Sequence, residues 1–164
     1  MGPTTELRRH LKSTFYPFAE ARGFRLDNRH APTITRFRRP TSDAVHLFEL
    51  QWEKYGRPRF VVNFGACPPS GLQLEGRQLA PEELFVGWLP GNGRLQPLKG
   101  TGSGSWFRQD KPWLGRLLSG ARLRPAAEVV EELLELFPEV ERYWNEGRRS
   151  EHLYLIRETP RGSV

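Results

Sequence analysis

A chain of 164 residues with 37% hydrophobic and 12% aromatic residues can bury a core without disulfides, and is too apolar for wholesale disorder. A mean hydropathy of -0.61 and the lack of a long apolar run exclude a membrane-spanning helix. Its first residues, MGPTTELRRHLKS, carry neither an apolar leader nor a myristoylation pattern. The single cysteine, Cys67, excludes an internal disulfide and a zinc site built from cysteines. These features predict a soluble, cytoplasmic chain folded as one domain over residues 1–164.

The net charge is +6, from 25 basic and 19 acidic residues. Of the basic residues, 21 are arginine and four are lysine. That bias, with 16 glycines and 14 prolines, has a plain source in GC-rich coding. The densest groups are Arg36-Phe37-Arg38-Arg39, Arg122-Leu123-Arg124 and Arg148-Arg149, with acidic residues between them. This pattern favours a solvated basic surface over a stripe built for nucleic acid.

Thr4 to Arg22 has the spacing of an amphipathic helix, with Leu7, Leu11, Phe15, Phe18 and Ala19 on one face. Gly23 is placed to stop it. Pro17 lacks an N–H and crowds the preceding turn, so a kink near Ser13–Tyr16, or two short helices, is expected. A sheet core over about 24–67 follows. Its strands are Phe24–Asn28, Thr33–Arg39, Ala44–Tyr55 and Arg59–Cys67, the last two joined as a hairpin through Gly56-Arg57-Pro58.

That hairpin gives a register. With Tyr55 opposite Arg59, Trp52 faces Val62, Leu50 faces Phe64 and Phe48 faces Ala66. The reverse face then sets Glu49, Gln51 and Glu53 opposite Gly65, Asn63 and Val61. A one-residue slip would mix apolar and polar faces. The apolar face is expected on the N-terminal helix, with the polar face the more open one.

Residues 68–104 are rich in turn signals, with Glu83–Leu89 as a short strand or helical turn. Trp106–Leu118 is apolar and ambiguous. A helical C-terminal part spans about 125–146: Pro125 starts a helix that Pro138 ends, and a second helix stops at Gly147. His152–Arg157 reads as a strand or further helix, and Thr159–Val164 as a frayed tail.

Most catalytic chemistry finds no frame here. His10, His30, His46 and His152 are widely separated, so no metal and no cofactor are expected. Cys67 closes an apolar strand and reads as a small, partly buried hydrophobe. The glycines of Gly100–Ser105 lack the strand and helix of a phosphate loop. Trp52, Trp88, Trp106, Trp113 and Trp144 are expected mainly in core packing, with an exposed partner-binding patch as the alternative. One constellation stands out on the polar sheet face: Arg36, Arg38, Glu49, Gln51, Glu53 and Asn63. It reads as a solvated face with cross-strand ion pairs or as a binding surface, where the two amides could hold a ligand or this chain's own C-terminal part.

Gly23-Phe24, Phe37-Arg38, Leu50-Gln51 and Asn63-Phe64-Gly65 together resemble a bacterial family described as domain of unknown function 4304. The resemblance covers Leu7 to Ala66. Beyond Pro68 it rests on Trp106, Gly115-Arg116-Leu117 and the C-terminal helix. It implies a small α+β domain and brings no established activity. Small bacterial families of this general kind include immunity proteins for secreted toxins.

The expected fold is α+β: an antiparallel sheet of about four to six strands, an N-terminal helix on one face and a helical C-terminal part. The expected function is a non-catalytic binding module for a protein partner, of which an immunity-type protein is one form. An arginine-based nucleic-acid or phosphate binder is the alternative. An enzyme with an unrecognised site is the second alternative.

Overall fold

The computed structural model describes residues 2–27, 32–100, 105–110 and 123–156. Trp113, most of the 100–105 glycine loop, most of Trp106–Leu118 and the 159–164 tail therefore lie outside the described residues. The N-terminal segment is helical throughout, as α1 (Pro3–His10), a π turn (Leu11–Phe15) and α2 (Tyr16–Ala21). The π turn is the local answer to Pro17. One wider turn, in which the Tyr16 N–H reaches back to the Leu11 carbonyl, accommodates the proline with no break in the helix.

Strands β1 (Arg25–Asp27), β2 (Ile34–Pro40), β3 (Val45–Trp52) and β4 (Arg59–Cys67) form an antiparallel meander. A short hairpin, β5 (Leu72–Leu74) and β6 (Arg77–Leu79), leaves the sheet, followed by two 3-10 turns at Pro81–Glu83 and Val86–Trp88. The chain returns as β7 (Gly93–Leu95) and β8 (Phe107–Arg108), which pair with successive stretches of β4, and β9 (Leu153–Leu155) closes the far edge beside β7. The fold is α+β, with seven strands in the main sheet among the described residues.

The β3–β4 register differs from the expected one. Trp52 pairs with Phe60, Leu50 with Val62, Phe48 with Phe64 and His46 with Ala66; Glu49 pairs with Asn63, and Gln51 with Val61. The shift is two residues. Because side chains alternate with period two, every residue keeps its expected face while every partner changes. The cause is a longer connection. The Glu53 carboxylate accepts hydrogen bonds from the Tyr55 and Arg57 N–H groups and organises a loop whose Gly56 adopts φ 77°.

Helix α3 (Ala126–Glu146) corrects a second expectation, for Pro138 lies inside it. The apolar positions Val129, Val130, Leu133, Phe137 and Val140 stay in helical phase across the proline and are all buried. Tertiary packing therefore outweighs the roughly 3 kcal/mol that an internal proline costs. Gly147, at φ 66°, ends the helix as expected.

The main core lies between the helices and one sheet face. Leu7, Leu11 and Phe15 meet Phe48, Leu50, Trp52, Val62 and Phe64 there, with Phe18 partly buried against them. Phe48 is its hub. Its ring stacks on Phe37 at 4.8 Å and meets Phe15, Phe24 and Phe137 edge-on at 5.8, 5.0 and 4.9 Å. A smaller core of Val45, Leu47, Cys67, Leu84, Val86 and Leu89 forms on the opposite face. No described helix is long and apolar enough to cross a membrane.

Candidate interaction site

On that opposite face, one polar residue from each of six strands falls into a single transverse row: Asp27, Arg36, Glu49, Asn63, Arg94 and Tyr154. Arg36 Nε donates to Glu49 Oε1 at 2.8 Å, and Arg36 Nη1 lies 3.7 Å from Asp27 Oδ2. Arg38 Nη2 approaches Asp27 Oδ2 at 2.9 Å. Arg94 Nε donates to Asn63 Oδ1 at 3.0 Å, while Asn63 Nδ2 donates to Gln51 Oε1 at 2.9 Å. The two amides singled out in the sequence thus bond to each other along a diagonal of the sheet. Glu53 stands apart from this row, holding its loop and lying 3.8 Å from Arg59.

This face was expected to be the open one. It is covered: Arg36, Arg38, Glu49, Glu53 and Asn63 are all buried, and of the six candidates only Gln51 is partly exposed. The cover over Arg36, Arg38 and Glu49 is the segment Pro81–Leu89, hereafter the strap. Its apolar residues Leu84, Val86 and Leu89 sit on Val45, Leu47 and Cys67. Three polar contacts tie it to strands β2 and β3, and the Asn92 amide donates to its Leu89 carbonyl at 2.7 Å. The Val86 N–H donates to Glu49 Oε1 at 3.2 Å, Arg38 Nη2 donates to the Glu82 carbonyl at 2.9 Å, and the Arg36 guanidinium lies 4.2 Å from the Phe85 ring centre. Gly65 makes the fit possible, since a Cβ there would stand 2.9 Å from Leu89 Cδ1. The Asn63-Phe64-Gly65 motif thus supplies an amide to the row and clearance for the strap.

Two further titratable side chains, Cys67 and His46, are buried. Burial raises the Cys67 thiol above its usual range, so it stays protonated. His46 lies on the helix side, its ring stacked on Trp144 at 4.5 Å and its Nδ1 3.1 Å from Arg39 Nη2. Burial and the Arg39 charge lower its pKa to about 4, against the opposing pull of Glu141. Arg39 itself bridges to Glu141 at 2.7 Å. The described residues contain no cluster of three metal-ligating side chains.

What the strap presents outward is different. Phe85 and Trp88 are 38% and 44% exposed, and their rings meet edge-on at 4.8 Å. Beside them runs a groove of about 510 Å³, lined by Leu74, Glu75, Arg77, Leu79, Glu83 and Trp88. The β5–β6 hairpin forms its other wall, turning tightly through Glu75 and Gly76 at φ 50° and 76°. The tryptophans accordingly divide: Trp52 is buried, Trp106 and Trp144 are half-buried, and Trp88 is exposed. The turn signals of 68–104 conceal the groove, although Glu83–Leu89 reads as a short strand or helical turn. The available signal was Leu72, Leu74 and Leu79 alternating about Glu75-Gly76, a pattern of a short hairpin with an apolar face. Comparison with protein-family models, curated proteins and solved structures finds no match to this chain.

Proposed function

We propose that this chain is a non-catalytic interaction module that binds a protein partner through the outer surface of the strap and the β5–β6 hairpin. The observation that carries the reading is the exposed Phe85–Trp88 pair beside an apolar groove. Exposed tryptophan on a scaffold fixed from below supplies contact area at little entropic cost, which is what protein interfaces use as anchors. The arginines support the same reading. Arg22, Arg36, Arg38, Arg39, Arg108 and Arg124 each pair with a carboxylate of this chain, which lowers their capacity to hold phosphates.

Affinity capture with the intact chain, beside a Phe85→Ser/Trp88→Ser variant that melts like wild type, tests the proposal. One protein retained in stoichiometric amount by wild type and lost from the variant is the expected result. Failure to retain a protein, together with RNA binding tighter than about 1 μM at physiological salt, would reverse the reading in favour of a nucleic-acid binder. Kinship with the domain of unknown function 4304 family and an immunity-type role are the narrower form of the proposal. A toxin encoded beside this chain, and neutralised by it, is what that form requires.

A further inference from the structure

The groove has a charge as well as a shape. Two carboxylates, Glu75 and Glu83, share its lining with the apolar side chains of Leu74, Leu79 and Trp88, and Arg77 is the lone cation in that lining. Glu82, next to Glu83, is also exposed. This acidity is local, because the chain as a whole carries +6. Building on the interaction reading above, we infer that the groove receives a segment of a partner protein in which an apolar side chain is flanked by lysine or arginine.

Two effects compete for such a segment. The net charge of +6 repels a cation at long range, whereas Glu75 and Glu83 attract it on contact. At physiological ionic strength the screening length is about 8 Å, so the groove's own charges outweigh the rest of the surface. The apolar part of the lining strengthens that preference by keeping water from part of the contact. It takes an aliphatic or aromatic side chain, and its volume is within the ordinary range for a site enclosing one or two such groups. The same carboxylates repel phosphates, so nucleic acid is the wrong occupant for this place. Neither carboxylate has an ion-pair partner among the described residues. Glu83 Oε2 accepts the Ala80 N–H at 2.9 Å, a bond that a glutamine oxygen can replace.

A displayed library of short random peptides, selected against the intact chain, tests the inference. Selections run in parallel on Trp88→Ser and on Glu75→Gln/Glu83→Gln, each first shown to melt with wild type. The expected winners carry leucine, phenylalanine or methionine beside lysine or arginine. Synthetic copies of them should bind the double glutamine variant at least about tenfold more weakly than wild type, with the difference shrinking as salt rises. Winners that depend on Trp88 but have acidic or uncharged flanks, or that bind the glutamine variant equally well, overturn this inference and leave the interaction reading standing. If nothing that depends on Trp88 is enriched, both fall.

Discussion

The two faces of strand β3 are covered by different means. On one, Phe48, Leu50 and Trp52 meet helices through a continuous apolar core. On the other, Leu47 takes part in a small apolar core while Glu49, two residues on, takes part in a buried ion-pair row. The helix face gains its stability from area and packing, which are non-directional. The strap face adds directional contacts, which fix where the cover sits more than how tightly it is held. Such a division holds the strap's outer surface in one position.

The largest expected effect lies on the helix face. Phe48→Ala removes the hub of five aromatic rings and should cost about 3–5 kcal/mol in urea unfolding, and Trp52→Ala a similar amount. A loss under about 1 kcal/mol for either would mean that the faces are assigned wrongly. On the strap face, Glu49→Ala leaves Arg36 buried without its closest carboxylate and should cost about 3 kcal/mol. Replacing the pair together, as Arg36→Met/Glu49→Leu, should return most of that loss, because no charge is then left buried alone. Equal losses in the single and double variants would show that the pair acts through packing alone.

His46 adds a pH dependence on the helix face. Its folded pKa, about 4, lies below the unfolded value of about 6.5, so the unfolded chain binds more protons between them. Stability is full above the unfolded value and falls as pH drops towards about 4, by at most about 3 kcal/mol. Carboxylates titrate near the lower end of this window too. His46→Phe, which keeps a ring for Trp144 to stack on, isolates the histidine: its stability should fall less than wild type between about pH 7 and about pH 4. Parallel curves would place the acid sensitivity elsewhere. A smaller effect is expected from Gly65→Ala. Its methyl group meets Leu89, so the strap should shift at a cost of about 1–2 kcal/mol, seen as faster amide exchange at Val86 with little change at Phe48.

The sequence shows the helix face plainly, because apolar residues at period two and at helical spacing point to the same buried surface. The register was less legible. The alternation rejects an odd shift and is blind to an even one, and the two-residue shift came from Glu53 binding the loop N–H groups. Pro138 misled for a related reason: a local rule met a packed face that continues through it. The polar row looked open because its side chains are charged. A sign of cover was present at its end, where Val45, Leu47, Gly65 and Cys67 are apolar or small on the same face. The residues that cover them lie some twenty positions on, in a segment whose turn signals conceal its three buried aliphatic side chains.

The buried row positions the strap, and with it the exposed aromatic pair. The Val86 N–H is its most direct reporter, since Glu49 accepts it. Hydrogen exchange at that amide should be compared between wild type and Arg36→Met/Glu49→Leu. A bond to a charged group contributes about 1.5–3 kcal/mol, so its loss should speed exchange at Val86 by about ten- to a hundredfold. The β3 and β4 amides should keep their protection, because the helix-side core remains. Unchanged protection at Val86 in the double variant would contradict that role of the row, leaving the aliphatic contacts of Leu84, Val86 and Leu89, with the bonds from Arg38 and Asn92, as sufficient to place the strap.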